Sequence, residues 1–174
     1  GASIAYHLAS TGKAGDIVVV ERDTTYGKAA TPRGSGGIRQ LFSLPENIEM
    51  ARVGLKFYQK FDSIMRTETQ PASISFRRQG YLFVSDGGDA KTMVENFEKQ
   101  QKLGVNAEIL DRHSISQLFP SINCKDINLA VYSPDDAWID AYSALQSFRA
   151  KSRDLGVNFL EDEIVAGDIE NGKI

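Results

Sequence analysis

The sequence predicts an α/β fold, and three observations predict it. The opening GASIAYHLAS carries the apolar stripe of a short helix, with Ile4, Ala5, Leu8 and Ala9 on one side. A stop at Gly12 leads into DIVVVE at 16–21, a continuous apolar run of the kind found in strands covered on both faces of a parallel sheet. Helix, turn and buried strand in that order make the second half of a βαβ unit.

The remaining elements follow in turn. Residues 22–44 form a long irregular stretch punctuated by Gly27, Pro32, Gly34, Gly36 and Gly37. A loop of that length in a compact domain is usually functional, and its apolar tail of Ile38, Leu41 and Phe42 argues against disorder. Pro45 opens a long helix expected over 46–66, with Ile48, Met50, Ala51, Leu55, Phe57, Tyr58 and Phe61 giving it a broad apolar face. Two short strands are expected at 73–77 and 80–85, the second reading GYLFVS. A helix over 89–103 ends near Gly104, and a strand follows at 107–110. Asp111 caps a short helix closed by Pro120; NLAVYS at 128–133 is a strand. Asp140 caps the next helix, which Gly156 stops. VNFLED is a strand, and Asn171-Gly172 signals a hairpin turn.

Composition narrows the function. The 174 residues are 41% hydrophobic and 25% charged, with a net charge of −3, and no basic stripe points to nucleic acid. Cys124 is the only cysteine, so neither a disulfide framework nor a thiolate metal cluster is available within the chain. His7 and His113 are the only histidines, which argues against a histidine metal site or a histidine triad built from these residues alone. No apolar run is long enough for a transmembrane helix.

One spacing carries nucleotide chemistry. Dinucleotide folds place a GxGxxG turn before the first helix, whose N-terminus faces the pyrophosphate; an acidic residue about 20 positions on takes the ribose hydroxyls. Gly1 and Glu21 stand 20 apart, and Glu21 ends the apolar strand. The spacing fits if Gly1 is the third glycine of such a turn and the strand with the first two lies upstream. The same pattern also fits an ordinary αβ unit whose Glu21 is a solvated strand end.

Taken together, GASIAYHLA, VVVER, SGGIRQLFS with PENI, GYLFVS and LFPSIN…YSPDDAWID resemble the FAD-dependent oxidoreductases related to D-amino-acid oxidase, sarcosine oxidase and dimethylglycine dehydrogenase. Within them, ERDTTYGKAATPRGSGGIRQLFSLPENI is most similar to the FAD-dependent oxidoreductase domain proteins associated with assembly of respiratory complex I. The resemblance implies FAD as cofactor and a Rossmann-like FAD-binding domain interleaved with a mixed, mostly antiparallel substrate-domain sheet. Residues 1–44 and 156–174 are expected in the former and 45–155 in the latter, with part of each sheet missing from this stretch. Gly1, Ala2 and Ser3 would face the diphosphate, Glu21 would hold the adenosine ribose, and Arg22 would lie beside the adenine. Ser35, Gly36, Gly37 and Ile38 would run under the pyrophosphate and ribityl chain. That agrees with the chemistry of adjacent glycines, which let backbone N–H groups approach an anion. The alternative is a flexible turn. Ile164 would touch the adenine through its backbone, or else be an ordinary core strand residue.

Arg39 is the candidate catalytic-site residue, since a fixed guanidinium near a flavin can take a substrate carboxylate in two-pronged fashion. A structural ion pair is the competing reading, and the arginine that sarcosine oxidase-like sequences carry falls on Gly36 here. Arg77 and Arg78 are weaker candidates, read as solvated charges at a turn. Tyr81 and Phe83 alternate onto one strand face, as core or as an aromatic wall. Asp135 and Asp136 read as a turn after Pro134, His113 as part of a surface helix, and Cys124 as a residue of a polar loop.

The expected activity is oxidation of a C–N bond in an amino acid or N-methylated amine, with oxygen or an electron-transfer protein as acceptor. A flavin-containing assembly protein with little turnover is the second expectation. An NAD-binding domain would suit Glu21 alone, but GSGGIR and the following long helix favour flavin. The resemblance implies a cytoplasmic location in a bacterium and the mitochondrial matrix in a eukaryote.

Overall fold

The computed structural model describes residues 1–167, so the expected Asn171-Gly172 turn lies outside the described residues. In chain order the elements are α1 (Ala2–Ser10), β1 (Val18–Val20), α2 (Ala30–Arg33), β2 (Gly37–Ile38), α3 (Pro45–Gln59), α4 (Phe61–Met65), β3 (Arg77–Arg78) and β4 (Tyr81–Ser85). They continue as α5 (Ala90–Lys102), β5 (Glu108–Leu110), α6 (Arg112–Leu118), β6 (Leu129–Ser133), β7 (Ala137–Trp138), α7 (Ala141–Asp154) and β8 (Asn158–Leu160). The chain divides into two units, Gly1–Ser35 with Phe61–Ile74 and Asp140–Ile174, and Gly36–Lys60 with Ser75–Ile139. The expected division placed 140–155 with the second sheet. The structure instead packs α7 into the first unit, because its apolar face is used there.

In the first unit β1 and β8 pair in parallel, Val18 opposite Asn158 and Val20 opposite Leu160. Phe148 of α7 sits at the centre of the unit's core, 5.7 Å from the Tyr6 ring of α1 and 5.2 Å from Phe61 of α4. Buried Ser152 secures the same helix pair: its hydroxyl donates to the Phe148 carbonyl at 2.7 Å and reaches the Ala2 carbonyl at 3.4 Å. Asp140 caps α7, accepting from the Ser143 amide at 3.0 Å and the Ser143 hydroxyl at 2.7 Å. The expectation of a strand buried on both faces does not hold for β1. Val18 is 52% exposed and Val19 and Val20 are half-buried, and β8 is the only strand that pairs with β1 among the described residues.

The second unit carries two antiparallel three-stranded sheets, ordered β2-β7-β3 and β4-β6-β5. The period-2 alternation of the latter sorts its residues cleanly. Tyr81, Phe83 and Val131 join Leu41, Ile48, Met93 and Phe97 in one cluster, while Leu82, Ala130 and Tyr132 join Leu110, Ile115 and Phe119 in another. Cys124 packs against this second cluster and is half-buried, rather than lying in a wholly polar loop.

The long helix expected over 46–66 is two helices. Lys60 leaves helical geometry (φ −109°, ψ 5°), and Phe61 then enters the first unit's core. The strand expected at 73–77 reduces to Arg77 and Arg78; Ile74 is buried outside any ladder, its amide donating to the Asp62 carboxylate at 3.0 Å. The two-residue strands β2 and β7 are too short to leave an alternation, and sequence reading passes over both. Among the described residues, no helix is long and apolar enough to cross a membrane.

Candidate functional site

In the first unit Glu21 and Arg22 directly follow β1 and Ile164 follows β8, beyond the C-terminal ends of its two parallel strands, the side on which α/β sheets bind ligands. Gly1 is the N-cap of α1; its carbonyl accepts from the Ala5 amide at 3.0 Å. Among the described residues no side chain caps this end, and the amides of Ala2 and Ser3 are open to an outside acceptor. A Cβ on Gly1 would stand 4.0 Å from Val19 Cγ1, an ordinary contact, so close helix–strand packing does not require glycine here.

Glu21 directly follows β1. Its amide donates to the Leu160 carbonyl at 2.9 Å, and its Oε1 accepts from the Asp23 amide at 3.0 Å. Its Oε2 takes no hydrogen bond from a described residue, which leaves a half-buried acceptor open at the strand end. Arg22 pairs with Glu163 at 3.0 Å, and Thr24 donates to Glu161 at 3.0 Å. Both contacts are exposed and contribute little energy, but they set the segment after β1 beside the segment after β8. Ile164 follows the partner of Arg22. It is 75% exposed and lies outside the strands of the described residues.

Two residues of this unit had no sequence signal. Tyr26 is buried with φ +58°, and the Arg149 guanidinium lies 4.7 Å from its ring centroid. Burial pushes the Tyr26 phenol pKa up, with Arg149 opposing that shift.

In the second unit Gly36 directly precedes β2, and Gly37 is the first residue of that strand. Gly36 has φ +74°, and its carbonyl accepts from the Ile139 amide at 2.9 Å. A Cβ on Gly36 would overlap the Ile139 carbonyl oxygen, and one on Gly37 would overlap the Tyr81 hydroxyl. Protein atoms therefore fill the space on the Cβ side of both glycines. Ile38 pairs with Ala137 and is half-buried. Ser35, on the other side of the unit boundary, is exposed.

Arg39 is exposed, with its guanidinium 5.1 Å from the Phe42 ring centroid and 5.5 Å from that of Phe83. Among the described residues it makes no ion pair, so the competing reading of a structural ion pair is not realised there. Tyr81 and Phe83, 6.3 Å apart, belong to the core cluster that supports this stacking. Arg77 lies 5.8 Å over Trp138, and Arg78 pairs with Asp135 at 3.5 Å.

Asp136 corrects the expectation of a simple turn. Pro134 and Asp135 do form one, but the Asp136 side chain is 0% exposed. Both its oxygens lie 3.1 Å from the Gln40 amide, and Oδ1 also accepts from Gln40 Nε2 at 2.9 Å. Its carbonyl accepts from the amides of Gln79 and Gly80 at 3.3 and 2.9 Å. Burial raises its pKa, and the Gln40 hydrogen bonds pull it back. Among the described residues no cluster of His, Cys, Asp and Glu is able to hold a metal.

Comparison with known proteins matches residues 1–174 to the family model "DAO: FAD dependent oxidoreductase". The chain is 34% identical over 150 residues to FAD-dependent oxidoreductase domain-containing protein 1 of Xenopus laevis, covering 85% of this chain and 30% of that protein. It is 32% identical over 169 residues to the Bos taurus protein of the same name, covering 94% and 35%. The chain thus spans about a third of the length of these curated relatives. Among solved structures, L-proline dehydrogenase from P. horikoshii superposes with a TM-score of 0.84 at 25% identity, over 98% of this chain and 43% of that one.

Proposed function

The chain belongs to the DAO family of FAD-dependent oxidoreductases, and from that premise we propose that the protein oxidises a C–N bond in a carboxylate-bearing amine. The observation that carries the substrate class is Arg39, an exposed guanidinium held on two aromatic rings and without a carboxylate partner among the described residues. A guanidinium held this way offers a carboxylate two parallel hydrogen bonds. Named relatives support the same class: 4-methylaminobutanoate oxidase of Paenarthrobacter nicotinovorans is 24% identical over 175 residues, and human mitochondrial dimethylglycine dehydrogenase 25% over 161.

The residues present fit the family's cofactor. The uncapped first turn of α1 supplies N–H donors suited to a diphosphate, and Glu21 Oε2 is an open acceptor suited to ribose hydroxyls. In this reading Gly1, Ala2 and Ser3 face the diphosphate, while Arg22 and the Ile164 backbone border the adenine. Ser35, Gly36, Gly37 and Ile38 run beside the pyrophosphate and ribityl chain. FAD, when bound, supplies the hydride acceptor. Arg39 anchors the substrate carboxylate and so sets which carbon is presented for oxidation. The electron acceptor is oxygen or an electron-transfer protein.

The test is anaerobic mixing of the purified full-length flavoprotein with glycine, proline, sarcosine, dimethylglycine and 4-methylaminobutanoate. Loss of the visible flavin band with at least one of them is expected. A flavin-loaded protein bleached by none would overturn oxidation and leave the assembly-protein reading.

A further inference from the structure

The strand that Arg39 directly follows has only two residues in its ladder, Gly37 opposite Trp138 and Ile38 opposite Ala137. So short a ladder orders its ends weakly, yet both ends are tied down. At one end the Gly36 carbonyl accepts from the Ile139 amide at 2.9 Å. At the other, Asp136 takes the Gln40 backbone amide on both oxygens and the Gln40 side-chain amide on Oδ1. Gln40 is 5% exposed and Asp136 0%, so water does not compete for these bonds.

The chemistry of the clamp is specific. A carboxylate offers two acceptor oxygens and no donor, which matches a partner presenting three N–H contacts. An asparagine in its place has one acceptor oxygen and would turn an NH₂ toward the Gln40 amide. Gln40 is held inward by both backbone and side chain, and the residue before it is exposed. Arg39 is that residue, and its tip then reaches the faces of Phe42 and Phe83.

We infer that Asp136 is a positioning residue: by clamping Gln40 it fixes the direction in which Arg39 meets a substrate carboxylate. This rests on the reading of Arg39 given above. It also assigns a task to the half of the Asp135–Asp136 pair that faces the protein interior, while Asp135 holds Arg78 and Asn106 at the surface.

The test uses Asp136→Asn and Gln40→Met in the full-length flavoprotein, with Asp135→Asn as control. For a carboxylate-bearing amine, Asp136→Asn should raise KM about tenfold with kcat within about twofold, the signature of lost ground-state binding. The same amine as its methyl ester should show unchanged kcat/KM. Gln40→Met should move KM in the same direction by less, and Asp135→Asn should not move it. Hydrogen exchange at the Gln40 amide should accelerate in Asp136→Asn with flavin content retained. Unchanged KM despite faster exchange, or equal losses for acid and ester, would overturn the inference. If the parent oxidises no amine, the oxidation reading fails alone, and acetate titration of the flavin spectrum decides the clamp. Acetate binding weakened about tenfold by Asp136→Asn sustains it, the equivalent of one lost charge-assisted contact. Equal binding by parent and variant, or none by the parent, overturns it.

Discussion

The hydroxyl of Tyr81 occupies the space that a Cβ on Gly37 would fill, and the Tyr81 ring carbon Cζ would stand 2.9 Å from it. The two residues therefore specify each other: the glycine admits the phenol, and the phenol excludes any larger residue. Gly37→Ala should destabilise the protein by about 1–3 kcal/mol, the usual cost of overpacking. Gly37→Ala combined with Tyr81→Phe should recover part of that loss, because the overlapping oxygen is gone while the ring remains. Denaturant unfolding of both variants checks this, and a double variant no more stable than Gly37→Ala would refute the pairing.

Helix α7 depends on its cap. Ser143, through its hydroxyl and then its amide, holds the Asp140 carboxylate below its ordinary value of 3.8. A lowered folded-state pKa gives stability that is present above the unfolded value and lost as pH falls through the folded one. Asp140→Ala should cost about 1 kcal/mol at neutral pH. Asp140→Asn retains the cap oxygen and should cost less there, while losing the dependence on acid below pH 3.8. Thermal unfolding from neutral to acid pH compares the three proteins.

Much of the fold was legible because it is written in local chemistry. Both Asp140 and Asp111 accept from the amide three residues on, and a cap followed by an apolar stripe is visible without tertiary information. The pleated alternation of GYLFVS likewise places Tyr81 and Phe83 on one face. What escaped is nonlocal. Gln40 and Asp136 are 96 positions apart, and adjacent Asp135 and Asp136 look alike until one is buried. The break at Lys60 is invisible for the same reason, since the apolar face continues across it while Phe61 packs in another unit. In the first unit, the spacing of Gly1 and Glu21 marks a helix start and a strand end, but it says nothing of Tyr26 or Arg149.

Arg149 should matter through its plane as much as its charge. Its guanidinium lies 4.7 Å from the Tyr26 centroid and 5.9 Å from that of Phe159, and Nη1 donates to Gln146 Oε1 at 2.9 Å. Arg149→Lys keeps the charge but loses the stacked fork, and should cost about 0.5–1 kcal/mol. Arg149→Met removes the charge that opposes the burial-driven rise of the Tyr26 pKa. Tyr26 should then ionise at higher pH still, which a spectrophotometric tyrosinate titration against a Tyr26→Phe background would register. A lower or unchanged value would mean that Arg149 does not act on the phenol.

Glu21 gives the sharpest test of the nucleotide reading, because its two oxygens have different tasks. Oε1 takes the Asp23 amide and shapes the turn after β1; Oε2 is the one available to a ribose. Glu21→Gln preserves one acceptor oxygen, which the turn amide and the ribose must then compete for. Flavin affinity of the full-length apoprotein should fall about tenfold in Glu21→Gln, the equivalent of about 1.4 kcal/mol. Glu21→Ala should weaken it further, since both acceptors are gone. Asp23→Asn, which alters the neighbouring turn without touching the Glu21 carboxylate, should leave affinity within about twofold, a change small on the same scale. Titration of apoprotein with FAD, followed by quenching of flavin fluorescence, separates these cases. Equal affinity for FAD in the parent and in Glu21→Ala would remove Glu21 from the site and return it to the role of a solvated strand end.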